Sequence, residues 1–403
     1  QIIYTNAKNL FDTDPEFKTN SYLCTTELQQ NVPKIVELWK NICAISRASY
    51  QQIYDRLDIK ITDVGESFYQ PYIPEMIEEL KNANVLEKDD GRYIIRNPNH
   101  KVPLTIIKSD GGYTYDTTDL AAIRYRLLNL KVDKAIYVVD NSQSYHFTQI
   151  FKTAKRMNWM QDLEQAVHVS FGLVLGSDGK RIRSRDGSTI KLTELLDKAI
   201  EKSQTTLDSI LEQSNQNVNQ NLNSESKHFL TNSEYSEAIN SIAHGSVKYA
   251  DLSSSRIENY VFSFDQMLNL KGNTAVYLLY SYIRIKSIVQ KTNIQYADLI
   301  KNFNFDGLVF DTDIEFDIVK HILIYKSQII EMDKNLMPHV LCTYIYNLAD
   351  KINLFCTKCR CIDTLKATNK QIINLERILL CYKAMHIFEA SFDILGIKII
   401  NKL

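Results

Sequence analysis

Five side chains able to handle a flat, positively charged ligand fall within one stretch of forty residues, 108–147: Tyr113, Tyr115, Asp119, Gln143 and His146. A lone carboxylate flanked by phenols and an amide suits a guanidinium, because the planar fork of that cation donates paired hydrogen bonds to carboxylate oxygens. Tyr115 precedes Asp119 by four residues, so on a helix the two share a face. Residue types alone also allow a plainer arrangement, in which the tyrosines fill a core and Asp119 only stabilises a helix N-terminus.

The surrounding pattern supplies elements to hold these groups. An apolar run at 104–107 ends in the Gly111-Gly112 turn, Thr117 or Thr118 can cap the periodic helix that follows, and 134–140 reads as a second buried strand. Strand, helix and strand make half of a doubly wound α/β unit, a fold that binds ligands where strands end and helices begin. Upstream, residues 85–107 alternate polar and apolar with turns at Asp90-Gly91 and Asn97-Pro98, the pattern of a small antiparallel element. A helix is expected from near Ile73-Pro74 and another from about Ser144 to Trp159. Ile35, Leu38, Ile42, Ile45, Ala48 and Ile53 recur at helical spacing after Pro33, as expected of a packed helix pair.

Composition bounds the rest. A chain of 403 residues can form two or three domains with substantial cores. Its formal charge of −1 gives no whole-chain sign of nucleic-acid binding, so any such surface is local. Seven cysteines without a secretory leader point to reduced thiols, and no apolar run is long enough to span a bilayer. Cys356, Cys359 and Cys361 with Cys381 form one short cluster without the second pair that zinc sites carry, so no protein-bound metal is expected. The stretch 110–112 lacks the Gly-Lys-Ser/Thr of a phosphate loop, and Ser184 and Ser188 have no His and Asp pattern to make either a nucleophile. Between Thr205 and Glu237 the sequence is rich in Ser, Asn and Gln and reads as a disordered or loosely helical insertion.

The wording SDGGYTYDTTDLAA (109–122), followed by IYVVDNSQSYHF (136–147), resembles the arginyl-tRNA synthetases of the eukaryotic cytosolic type, class I enzymes. The segments before and after, apart from the polar insertion, are also similar to that family. The resemblance implies a Rossmann-like α/β class I catalytic domain, incomplete at its N-terminus, followed by an all-α anticodon-binding bundle. The expected boundaries are 1–203 for the catalytic part, 204–237 for the insertion, 238–272 for a linker and 273–403 for the anticodon-binding domain. The implied activity is ATP-dependent activation of L-arginine, with Mg²⁺ accompanying ATP, and transfer to arginine tRNA in the cytoplasm. No membrane partner is implied, and a monomer is expected. An alternative of another class is a non-catalytic synthetase fragment that binds tRNA or a partner protein.

The resemblance also assigns roles. Tyr115, Asp119 and Gln143 would select arginine; the segment Phe171, Gly172, Leu173 and Val174 would hold ATP through its backbone around adenine, and His146, by its position, would line the ATP or the arginine pocket. Lys180, Arg181, Arg183 and Arg185 occupy the degenerate form of the KMSKS loop, where basic groups neutralise phosphate charge; its second lysine is not evident. Tyr277 and Tyr280 match positions that contact the anticodon loop, with Arg284 one turn further along the same stripe. Leu403 stands where relatives end on methionine, and Cys356, beside Phe355, where they place a tyrosine. The HIGH signature has no counterpart here and is expected upstream of Gln1, so residues 1–403 alone are expected to be inactive or severely impaired.

Overall fold

A computed structural model of the chain describes residues 2–176, 179, 191–219, 230–364 and 371–400. It divides into two compact units, Gln1–Ser170 and Phe171–Leu403.

The first unit opens with three helices, α1 (Ile2–Thr13), α2 (Pro15–Gln29) and α3 (Pro33–Leu57). Asp14 caps α2 by accepting from the Glu16 and Phe17 amides, and Pro15 and Pro33 stand at first helical positions, where a missing N–H costs nothing. The expected helix after Pro33 is present, but its apolar stripe is not packed: Leu38, Ile42 and Ile45 are exposed, and neither α2 nor α3 has a buried residue. The opposite side of α3 lines a cleft of about 1120 Å³ with Trp39, Arg47, Tyr50, Glu66, Gln70 and Tyr113.

The core of this unit begins at a 3₁₀ turn, Glu66–Tyr72, that leads into α4 (Ile73–Asn82), whose Ile73, Met76, Ile77 and Leu80 form one buried face. Strands β1 (Glu87–Asp89), β2 (Arg92–Ile95) and β3 (Leu104–Ile107) make the expected antiparallel element, folded at Asp90-Gly91, where both residues have positive φ. Next come α5 (Tyr115–Arg124), a π-helical turn to Asn129, β4 (Ala135–Val138), α6 (Ser144–Arg156) and β5 (Ala166–Val169). Here the sequence reading needs correction. Strand β3 pairs with β2, whereas β4 pairs with β5 in parallel register, Ala135 opposite Ala166 through Val138 opposite Val169. The parallel strand–helix–strand unit is therefore β4–α6–β5. Side chains of α5 take the free edge of β3, which puts that helix beside the antiparallel element.

The second unit is mainly helical. It contains β6 (Val174–Leu175), α7 (Leu192–Asn219), α8 (Asn232–Leu252), β7 (Tyr260–Val261), α9 (Phe264–Met267), α10 (Ala275–Thr292), α11 (Tyr296–Asn302), α12 (Asp313–Leu323), α13 (Tyr325–Asn335), α14 (His339–Lys358), β8 (Ile362–Thr364), β9 (Gln371–Ile373) and α15 (Leu375–Leu395). Tyr282, Phe355, Phe388 and Phe392, all fully buried, centre a single core drawn from α7, α8 and the C-terminal helices. The polar stretch, expected to be disordered or loosely helical, is helical over its first part. Helix α7 continues to Asn219, because Leu196, Ala199, Ser203, Leu207 and Ile210 repeat every three or four residues and are all buried. A polar average concealed that stripe. No helix among the described residues is long and apolar enough to cross a membrane.

Candidate active site

The site is built at the start of α5. Gly111, at φ +83°, turns the chain after β3, and the Lys108 amide donates to the Gly112 carbonyl at 2.9 Å. The helix starts three residues earlier than Thr117: Thr114 is the N-cap, and its amide donates to Thr117 Oγ1 at 3.2 Å. Thr114 Oγ1 in turn donates to the Thr105 carbonyl and Thr117 Oγ1 to the Ile106 carbonyl, while the Thr105 amide donates to Asp116 Oδ2 at 2.7 Å. Three side chains of one helical turn thus satisfy the strand edge, which fixes the rotation of α5. Its far end is anchored by Arg124, nearly buried, whose guanidinium forks onto Glu79 at 2.9 and 2.5 Å and reaches Glu75 at 2.8 Å, both on α4.

This rotation brings Tyr115, Asp116 and Asp119 to α6. There Asp140 accepts from the Ser142 amide at 2.8 Å and starts the short 3₁₀ turn Asn141–Gln143, after which His146 is the third residue of the helix. The His146 ring lies between two carboxylates, Nε2 at 2.7 Å from Asp119 Oδ2 and Nδ1 at 3.2 Å from Asp116 Oδ1. Burial alone would depress its pKa, but the hydrogen bonds and charges of Asp116 and Asp119 prevail and raise it to about 9. The charged form of the ring is thereby favoured between the two carboxylates. Tyr115, 62% exposed, packs its ring 5.0 Å from that of His146, and its phenol pKa is raised by the Asp116 charge, by burial and by Asp119.

Of the candidates in this unit, Tyr115, Asp119 and His146 come together. Gln143 is exposed on the turn just before α6, and Tyr113 lines the cleft against α3. Asp116 escaped the sequence reading altogether. Its only signal is its place one turn before Asp119, and its role depends on a histidine thirty residues away.

In the second unit, the segment Phe171 to Val174 runs against residues 256–262. The Gly172 amide donates to the Arg256 carbonyl at 2.6 Å, the Leu173 amide to Asn259 Oδ1 at 2.7 Å, and Leu173 accepts from the Tyr260 amide at 3.2 Å. A Cβ on Gly172 would stand 2.2 Å from the Glu258 carbonyl oxygen, so this position requires glycine for close approach. The parallel pairing of Val174 with Tyr260 turns the N–H and C=O of Val174 to the opposite edge of the strand.

On α10 the aromatic stripe has two characters. Tyr277 is partly buried and donates to Asp350 at 2.5 Å, with a pKa pushed up to about 12 by burial and then by that bond. Tyr280 is exposed, with the Arg284 guanidinium 5.9 Å from its ring, and Arg284 is steadied by a 2.6 Å bond to Asn353. Phe355 is wholly buried; Cys356 is half-buried near Arg284, its thiol pushed up to about 11, mainly by burial. Lys180, Arg181, Arg183, Arg185, Ser184, Ser188 and Leu403 lie outside the described residues. Among the described residues no group of three or more His, Cys, Asp or Glu side chains is arranged to hold a metal ion.

Comparison with known proteins decides what this arrangement belongs to. The family model of the tRNA synthetases class I (R), catalytic domain, matches residues 1–264, and that of the DALR anticodon binding domain matches 278–403. The chain belongs to the class I (R) tRNA synthetase family. It is 40% identical over 405 residues to the cytoplasmic arginine–tRNA ligases of Cricetulus griseus and Homo sapiens, a match that takes in 100% of this chain and 59% of each relative. The synthetase chain thus spans about three fifths of the length of these relatives. Its structure is similar to the crystal structure of the arginyl-tRNA synthetase from Plasmodium falciparum, with a TM-score of 0.79 at 31% identity, covering 98% of this chain and 64% of that one. The Thermus thermophilus arginyl-tRNA synthetase, at 17% identity and a TM-score of 0.72, covers 98% of this chain and 67% of its own length and shares the fold. A class I catalytic domain followed by an anticodon-binding domain is therefore the architecture of the synthetase chain. The Asp119–His146 cluster lies in the catalytic match, Tyr280 and Arg284 lie in the anticodon-binding match, and Tyr277 precedes the latter by one residue.

Proposed function

We propose that the protein carrying this sequence is a cytoplasmic arginine–tRNA ligase that activates L-arginine with ATP, Mg²⁺ accompanying the nucleotide, and transfers it to arginine tRNA. The observation that carries this reading is the Asp119 carboxylate. It sits on the first turns of α5, one oxygen bound to His146 and its exposed Tyr115 neighbour alongside, so that a carboxylate and a phenol stand together where a guanidinium would be received. The names of the relatives point to the same substrate.

In this reading the arginine carboxylate attacks the α-phosphate of ATP and pyrophosphate leaves; a terminal ribose hydroxyl of the tRNA then attacks the activated carbonyl and AMP leaves. No covalent bond to the enzyme forms, so the chain's contribution is orientation and charge complementarity. Asp119 and Tyr115 hold the guanidinium end, and Gln143 adds a hydrogen bond from the neighbouring turn. His146, read from sequence as lining the ATP or the arginine pocket, is assigned to the guanidinium end, because both its ring nitrogens are taken by Asp116 and Asp119. The backbone at Phe171 and Val174 receives adenine, since the Gly172 and Leu173 amides already donate within the chain. Lys180, Arg181, Arg183 and Arg185 offset phosphate charge. On the bundle, Tyr280 stacks on an unpaired base of the anticodon loop with Arg284 beside it, Tyr277 lies one turn behind, and Leu403 adds an apolar contact.

The test is arginine-dependent ATP–pyrophosphate exchange with and without arginine tRNA, on protein carrying this sequence and on its Asp119→Ala variant. Exchange that Asp119→Ala abolishes supports the ligase. Retained tRNA binding with no exchange in any form would favour a tRNA-binding module instead.

A further inference from the structure

Asp119 does not stand alone in its pocket. A continuous chain of polar contacts runs from the Thr105 amide on β3, which donates to Asp116 Oδ2 at 2.7 Å, through the 3.2 Å ion pair of Asp116 Oδ1 with His146 Nδ1, to the 2.7 Å hydrogen bond between His146 Nε2 and Asp119 Oδ2. It crosses three elements, β3, α5 and α6. Both imidazole nitrogens face carboxylate oxygens, and a carboxylate only accepts, so the ring must donate from both. A short carboxylate on a helix surface has several rotamers. Here the bond to Nε2 selects one and leaves Oδ1 as the edge turned to a ligand. Asp116 is held at its other oxygen by a backbone amide, so the restraint ends in the sheet rather than in another mobile side chain.

We infer that His146 is the positioning residue of the site: with Asp116 behind it, it fixes the Asp119 carboxylate in the orientation that a planar guanidinium needs and a point-charge ammonium does not. The inference rests on the proposed arginine site and specifies how that site discriminates. A guanidinium donates from a rigid planar fork and gains most from an acceptor already set in its plane; an ammonium, compact and with rotatable donors, tolerates a swinging carboxylate. The charged groups around the ring favour this arrangement. On α5 are Asp116, Asp119 and the Tyr115 phenol. From β4 comes Tyr137, close enough for Asp119 to raise its pKa, though burial is the larger cause; the Arg126 guanidinium lies 5.0 Å from the Tyr137 ring. Behind the neighbouring Phe147, His168 of β5 stacks on the phenylalanine ring and uses its Nε2 on the Val139 carbonyl.

The test uses agmatine, which is arginine without its carboxylate, and putrescine, which has the same carbon chain and amine with an ammonium in place of the guanidinium. Both are titrated into the full chain and into His146→Phe, His146→Gln and Asp119→Asn, with thermal melting as the check on folding. The expected result is agmatine bound more tightly than putrescine by the unaltered chain, a loss of about tenfold in agmatine affinity in His146→Phe, little change for putrescine, and partial recovery in His146→Gln, which keeps a donor toward Asp119. A folded His146→Phe or His146→Gln that keeps the agmatine preference in full overturns the positioning role while leaving the arginine site intact. An unaltered chain that does not prefer agmatine, or a preference untouched by Asp119→Asn, overturns the arginine site and the inference with it.

Discussion

At the scale of single residues, the pKa values of two histidines are shifted in opposite directions, and the pH dependence of stability follows from them. His146 has its folded pKa raised to about 9, so its contribution is complete below about pH 6.5, the unfolded value, and is lost as pH rises through about 9. His321 on α12 has its pKa lowered, chiefly by burial, with a bond to the Tyr344 carbonyl opposing and the Lys351 charge assisting. A depressed histidine works in the other direction: its contribution is present above about pH 6.5 and fades as pH falls through the folded value. Thermal melts across pH 5–10 are expected to show the first unit weakening on the alkaline side and the second on the acid side. In His146→Gln the alkaline loss should flatten while the acid loss stays. The same scale shows what sequence could reveal. That Tyr115 and Asp119 lie on one face at the start of a helix was legible, because residues four apart share a helix face. Asp116 and the linking role of His146 were not, since the partners lie 27 and 30 residues apart and meet only when α5 packs on α6.

At the scale of elements, the site depends on α5 being clamped at both ends, by the threonine and aspartate bonds to β3 and by Arg124 on α4. Sequence signals located α4 and α6, because each buries one regular face. They misplaced the start of α5, since several threonines competed as caps and only the edge of β3 decides in favour of Thr114. They also mistook the partner of β3: four apolar residues look alike in a parallel or an antiparallel sheet, and strand pairing is a long-range choice. The clamp gives a direct prediction. Glu79 accepts two bonds from the nearly buried Arg124 and one from Trp159 Nε1 at 3.2 Å, and its pKa is lowered mainly by its bond to Arg124. Glu79→Leu leaves that guanidinium with Glu75 alone. It should destabilise the first unit by roughly 1.5–3 kcal/mol, measured as a lower urea midpoint with an unchanged slope.

At the scale of the whole molecule, family membership joins a catalytic domain to an anticodon-binding domain in one chain, and the core cluster of the second unit takes in α7 and α8 of the catalytic match together with the helices of the anticodon-binding match. The architecture was legible in sequence largely through two long stretches of wording, while the extent of α7 was hidden by a composition that averaged its buried stripe away. The central claim is that the Asp119 carboxylate reads the charge and shape of a guanidinium. Citrulline tests it most directly, because it replaces the guanidinium of arginine with a neutral urea of nearly the same shape. A charge-assisted bond contributes about 1.5–3 kcal/mol, so discrimination of roughly ten- to a hundredfold is expected. The decisive measurement is the affinity for L-arginine and L-citrulline of protein carrying this sequence and of its Asp119→Asn variant. The account predicts a strong preference for arginine that Asp119→Asn largely erases; equal binding of the two ligands, or a preference that survives the substitution, would contradict it.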